Sequence, residues 1–482
     1  MCHSLVHDLP MEGNDVNENQ FDVVVIGAGP AGEVCAGRLG EAGLDVAVVE
    51  GHLVGGECSF YGCMPSKALL RPAQALAEAR RIPGAREAVT RDLDVDAVLR
   101  RRDEVIHGLD DAVQLPWLEQ RSVTVLRGHA RLAGERRVEL DGAVIEARLA
   151  VVVATGTEAA VPPIPGLAEA QPWTNRMATT TSAVPARLIV LGGGVIGVEL
   201  GQAWSTLGSR VTIVEAFPRL LGREEDFAAQ FVHDALVEQG IDVRVGSPAT
   251  AIARDERGVS VRLESGDELE ADEILVAVGR RPATRELGLE TVGIEPGRYI
   301  EVDGSMRVPG HEWLYAIGDT NGRALLTHMA KYQARVAVDV ILGRDTRIDP
   351  RAAGPLAPRV VFTEPQVAAV GHTLASALEA GIDARAFDVE TSGTAGGSFY
   401  GRGAPGISRI VVDQQRHVLV GATFSGADVA EFLHAATIAI VGEVPFETLW
   451  HATPSFPTRS EIWLRLLEQY ESAARQDQVV AA

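Results

Sequence analysis

Four short apolar runs set the rhythm of this chain. Residues 21–27 (FDVVVIG), 46–50 (VAVVE), 187–192 (RLIVLG) and 211–215 (VTIVE) are rich in β-branched residues and end in glycine or glutamate. Runs of that length and composition predict buried strands. Between the members of each pair lies an Ala- or Leu-containing stretch of helical character, so the pattern predicts two strand–helix–strand units. Residues 80–115 read as helical and Arg-rich without a recognisable motif. The longest apolar stretch, residues 188–198, is broken by four glycines. It is far shorter than the roughly 20 residues that span a bilayer.

The two units repeat one another. Gly27, Gly29 and Gly32 open the first helix and Gly192, Gly194 and Gly197 the second, and Glu50 and Glu215 close the second strands at the same offset. The first glycine permits a tight turn, the second lets backbone approach a pyrophosphate, and the third lets helix pack on strand. Pro30 and Ala31, like Val195 and Ile196, then lie at a helix start that faces phosphate. The terminal glutamate accepts hydrogen bonds from ribose hydroxyls. Two such sites suggest a flavin held permanently and a nicotinamide that visits. Glu215 would repel a 2′-phosphate, which favours NADH over NADPH, while Arg219 and Arg223 nearby read as solvated arginines that temper this preference.

The chain has 482 residues, with 44 basic against 66 acidic side chains and a formal charge of −22. This length calls for more than one domain. The acidity argues against phosphate-backbone binding and against an anionic membrane surface, so neither nucleic acid nor membrane is expected as a partner. Residues 1–20 hold no Lys or Arg and four acidic residues, the reverse of a signal peptide, and read as a flexible tail of a cytoplasmic protein. Four cysteines cannot form a disulfide scaffold in so long a chain. Cys58 and Cys63 nevertheless lie close, in GGECSFYGCMPSKALL, with Cys63 near the start of an apolar helix. A helix start favours the reactive thiolate. Half of a zinc site and two buried thiols are the competing readings, but zinc wants about four ligands and no second Cys pair exists, so no metal is expected. Cys35 reads as a small core residue.

With these residues in view, the chain resembles the flavoprotein disulfide reductases, a family that includes dihydrolipoamide dehydrogenase, glutathione reductase and mercuric reductase. The resemblance runs from about Phe21 to about Glu461. It implies an α/β fold of two doubly wound, Rossmann-like FAD and NAD domains plus a C-terminal α+β dimerisation domain. The corresponding boundaries are 1–20 tail, 21–157 FAD domain, 158–285 NAD domain, 286–350 FAD return, 351–470 interface domain and 471–482 flexible tail. Thr155 and Gly156 resemble the crossover out of the FAD domain, and Gly279 and Arg280 the return. Gly318 and Asp319 resemble the second flavin motif, with Asp319 placed for the ribitol, and Gly56 and Glu57 complete the flavin-side positions. By family position Cys63 contacts the flavin and Cys58 exchanges with substrate. Lys67, four residues after Cys63, corresponds to a lysine that pairs with a helix glutamate, matched here by Glu199.

The pattern breaks at the substrate end. Family members that reduce disulfides carry a His five residues before the Glu matched by Glu461, and here that position is Phe456. In the family this His, supplied by the partner subunit, moves protons while the Glu orients it, and a phenyl ring cannot do so. His451 is the nearest replacement and His328 a second candidate. Glu57 stands where Thr is common, and a carboxylate there would disfavour a thiolate unless turned away. The tail lacks the adjacent cysteines by which mercuric reductases deliver metal. The resemblance thus implies an FAD enzyme passing electrons between nicotinamide and a Cys58–Cys63 disulfide, dihydrolipoamide dehydrogenase-like, acting as a homodimer on a small-molecule disulfide. The alternatives are an NADH-dependent quinone or metal reductase, and a redox-sensing flavoprotein.

Overall fold

The computed structural model describes residues 19–401, 404 and 406–481. Residues 1–18, nearly all of the expected N-terminal tail, lie outside the described residues. The described residues divide into two compact units, each assembled from separated stretches: those within 1–65, 102–160 and 280–348 in one, those within 66–101, 161–279 and 349–482 in the other.

In the first unit, the predicted strands Gln20–Ile26 and Val46–Glu50 pair in parallel. Val123–Arg127 extends the sheet on one side and Ala143–Val153 on the other, with Leu314–Ala316 parallel to the end of Ala143–Val153. Strands Arg137–Leu140 and Ala130–Leu132 add an antiparallel margin. The helix Pro30–Glu41 packs on this sheet, and its central strands, buried on both faces, read as unbroken valine runs rather than alternating ones. Val23, Val24, Val25, Val48, Val151 and Val152 are wholly buried.

Among the described residues the second unit holds three sheets. Four parallel strands, in the order Asp242–Arg244, Arg210–Val214, Arg187–Leu191 and Glu273–Val276, form the second doubly wound sheet. A three-stranded antiparallel sheet covers residues 249–271. A five-stranded antiparallel sheet running from Arg359–Val361 to Val418–Gly426 is packed by the helices Leu433–Val441 and Glu461–Ala481. The α/β class and its C-terminal α+β part are as expected. Two local differences stand out. Residues 66–101, placed by the sequence within 21–157, group with the second unit because Leu69, Leu70, Val98 and Leu99 bury among Leu188, Val198 and Trp204. Residues 471–481, expected as a loose tail, continue the helix Glu461–Ala481, whose Tyr470 and Ala473 pack on the core. Among the described residues no helix is long and apolar enough to cross a membrane.

Candidate active site

Each glycine cradle is built alike. Gly27 has φ +100° and Gly192 φ +106°, and a Cβ on either would lie 2.5 Å from a carbonyl oxygen of the neighbouring strand's end, Ala154 or Ala277. A Cβ on Gly32 or Gly197 would collide with the carbonyl oxygen of Gly27 or Gly192. Gly29 and Gly194 are the extended N-caps of the helices Pro30–Glu41 and Val195–Thr206, with nothing against the space a Cβ would take. That open side, under the unpaired N–H groups of a helix start, is a cradle for phosphate. Glu50 accepts from the Ala28 N–H at 2.7 Å and the His52 N–H at 2.8 Å. Glu215 repeats this with Gly193 at 2.6 Å and Phe217 at 2.8 Å. Arg219 is held by the carbonyl oxygens of Glu224 and Gly222, and Arg223 is exposed on the same loop.

The crossover and return residues meet within the first unit. The Thr157 hydroxyl donates to Asp319 at 2.9 Å and accepts from Arg280 Nε at 2.7 Å. Burial pushes the Asp319 carboxyl up, against the hydrogen bond from Thr157 and the charge of Arg280. The Gly156 N–H donates to Thr320 Oγ1, beside Thr155, and the Gly318 N–H donates to Gln333. Gly56 packs against Gly29, where a Cβ would come within 2.8 Å of the Gly29 Cα. Glu57 lies 3.6 Å from Arg280. Its carboxylate is drawn toward a cation, which answers the concern raised by a carboxylate next to Cys58. Gly279 takes φ +142° at the last residue before the return. The cradle free of Cβ, Glu50 and the half-buried Asp319 form a donor and acceptor set that fits a flavin adenine dinucleotide.

Cys58 sits in the short helix Gly56–Phe60, and Cys63 is the first residue of the helix Cys63–Arg81. Their side chains hydrogen-bond, and this bond, with burial, pushes the Cys58 thiol well above its ordinary range. Thr327 and Lys331, one turn apart on the helix Thr327–Ile341, pull it the other way. Thr327 Oγ1 is 3.3 Å from Cys63 Sγ. Sequence reasoning passed over Thr327; the hydroxyl ahead of His328 at a helix start was the available signal. His328 itself is exposed. Cys35 is fully buried and its thiol is pushed up to about 12 by burial, as a core residue should be.

In the second unit Lys67 Nζ lies 2.6 Å from Glu199 Oε2. The other oxygen of Glu199 accepts from the Phe362 N–H at 2.8 Å, and Lys67 sits 4.7 Å over the Phe362 ring. The expected pair is therefore formed, with Glu199 buried. Glu461 is buried and its carboxylate accepts from the Gly396 N–H at 2.9 Å, while among the described residues no hydrogen bond joins it to His451. His451 is exposed after the turn Phe446–Leu449, and Phe456 is 76% exposed. Among the described residues no three His, Cys, Asp or Glu side chains converge on a metal site.

Residues 21–334 match the family described as pyridine nucleotide-disulphide oxidoreductase, and residues 357–466 match its dimerisation domain. A dihydrolipoyl dehydrogenase of Thermus scotoductus is 34% identical, over 95% of this chain and 98% of its own. A mercuric reductase of Staphylococcus aureus is 30% identical, over 92% and 81%. Among solved structures, the Cu(II) complex of the HOCl-induced flavoprotein disulfide reductase RclA of Escherichia coli has a TM-score of 0.80 at 25% identity, over 93% and 99%.

Proposed function

Because this chain belongs to the pyridine nucleotide-disulphide oxidoreductase family, whose members bind FAD and use pyridine nucleotide, we propose that it is an NADH-dependent flavoprotein oxidoreductase with Cys58 and Cys63 as its redox couple. The first cradle, Glu50, Thr157, Arg280 and Asp319 would hold FAD, and the second cradle with Glu215 would hold NADH. Bound FAD would supply the relay of an electron pair between nicotinamide and sulfur. The observation that carries this reading is the thiol pair, Cys58 on the short helix Gly56–Phe60 and Cys63 at the start of the next helix with its Sγ 3.3 Å from Thr327 Oγ1, in the unit that contains the first cradle. Glu215 at the end of the second strand supports NADH over NADPH, since a 2′-phosphate would meet its carboxylate, and of the two nearby arginines Arg219 is engaged by loop carbonyls while Arg223 is exposed. For the external substrate, the likeness to a dihydrolipoyl dehydrogenase supports a small dithiol or disulfide of the lipoamide class, worked by a homodimer.

A second reading is favoured by the C-terminal segment. With Phe456 in place of an imidazole and Glu461 committed to Gly396, the chain suits an acceptor that needs no proton shuttle, such as a quinone or the Cu(II) carried by the Escherichia coli relative. The test is turnover of purified protein with dihydrolipoamide and NAD⁺, beside NADH with a naphthoquinone or Cu(II), in the native chain and in Cys58→Ser and His451→Ala. Lipoamide turnover lost in Cys58→Ser and kept in His451→Ala is the expected result. Quinone or Cu(II) reduction without lipoamide turnover replaces the first reading with the second.

A further inference from the structure

We propose that Glu57 is a positioning residue for the flavin: as the counter-ion of Arg280 it keeps that guanidinium from pairing directly with Asp319, and so leaves the Asp319 carboxylate open to a cofactor hydroxyl. The proposal rests on the reading of the first cradle as the FAD site, with Asp319 placed for the ribitol.

The arrangement is drawn from four separate stretches of the first unit. Glu57 lies in the first turn of the helix Gly56–Phe60, and Asp319 in the turn Gly318–Asn321. Thr157 opens the strand Thr157–Ala159, and Arg280 opens the strand Arg280–Pro282 antiparallel to it. Arg280 Nε donates to Thr157 Oγ1 and Nη2 donates to the Thr157 carbonyl oxygen, both at 2.7 Å, while Nη2 also lies 3.6 Å from Glu57 Oε2. The Thr157 hydroxyl gives its one hydrogen to Asp319 Oδ2 at 2.9 Å. A single hydroxyl therefore separates the guanidinium from Asp319, and Glu57 is the cation's second anionic neighbour.

Charge decides what this geometry does. Arg280 and Glu57 are both half-buried. In such a site a guanidinium stripped of its counter-ion turns to the nearest carboxylate, which its planar fork can take with two hydrogen bonds. That carboxylate is Asp319. The three charges already act on one another: burial is the main cause that raises the Asp319 carboxyl, Thr157 and Arg280 draw it down, and Glu57 adds to the rise. With Glu57 in place the cation is balanced, so Asp319 gives one oxygen to Thr157 and offers the other to the cofactor.

The experiment follows FAD release from the purified holoprotein, read as the gain of free-flavin fluorescence on dilution. Native protein is compared with Glu57→Gln, which keeps the shape and removes the charge, with Glu57→Ala, with Arg280→Met, and with the double variant Glu57→Gln/Arg280→Met. Each is loaded with excess FAD beforehand, and circular dichroism confirms its fold. Glu57→Gln and Glu57→Ala should release FAD about tenfold faster than the native chain, the scale of one hydrogen bond to a charged group. In the Arg280→Met background the same glutamine substitution should change the rate by less than about twofold, because no cation is left to balance. Native release rates in both Glu57 variants overturn the proposal. An equal effect of Glu57→Gln with and without Arg280 overturns it too, since Glu57 then acts by another route. If the native chain neither purifies yellow nor takes up added FAD, the reading of the first cradle falls and this role with it, whereas yellow protein with unchanged release removes the role of Glu57 alone.

Discussion

Glu33 lies in the first turn of the helix behind the first cradle. Burial raises its carboxyl to about 7, with Lys331 opposing the rise and Glu50 adding to it. A carboxyl raised above its ordinary range binds its proton more tightly in the folded chain than in the unfolded one. Its stabilising share is then complete below the ordinary carboxyl range and is lost as pH climbs through about 7. Denaturant unfolding at pH 5 and pH 8 should show the native chain losing roughly 1–2 kcal/mol more than Glu33→Gln over that interval, once the partial access of water is allowed for. An equal slope in the two proteins would mean that Glu33 is ionised throughout.

At the scale of elements, the two strand–turn–helix cradles obey the same steric rule at Gly32 and Gly197 but serve different nucleotides in the proposed enzyme. Gly32→Ala should therefore yield colourless protein, with its visible absorbance lost after gel filtration. Gly197→Ala should stay yellow while the KM for NADH rises at least about tenfold, the loss of roughly 1.4 kcal/mol of binding. Equal bleaching of both variants would contradict the division of labour. These cradles were legible in the sequence because turn, cap and strand length are local properties, and Lys67 with Glu199 was legible through the family pattern. The Cys63–Thr327 contact joins residues 264 apart, and the Gly396–Glu461 bond joins residues 65 apart. No periodicity links such positions. The bond from Gly396 to Glu461 depends on the fold, which seats the backbone of Gly396 against Thr458 and Arg459, where a Cβ would not fit, and turns its N–H to the carboxylate. The approach of Glu57 to Arg280 was illegible for the same reason, since the two are 223 positions apart in sequence and only the fold brings them near.

For the whole molecule, the match of residues 357–466 to a dimerisation domain gives meaning to apolar side chains left in the open. Ile438, on the helix Leu433–Val441, is 57% exposed and Phe399 is 65% exposed. Covering such groups with a second copy would account for them. Ile438→Asp should shift the sedimentation of the chain from dimer toward monomer, and unchanged sedimentation would move the interface elsewhere. The interleaving of the two units has a further consequence for a chain made from its N-terminus. The four parallel strands of the second doubly wound sheet are all present once residue 276 has been synthesised. The strand Ala143–Val153 of the first unit, exported some 120 residues earlier, still lacks its neighbour Leu314–Ala316 at that moment. On the ribosome, the guest sheet is complete while its host still presents an open edge.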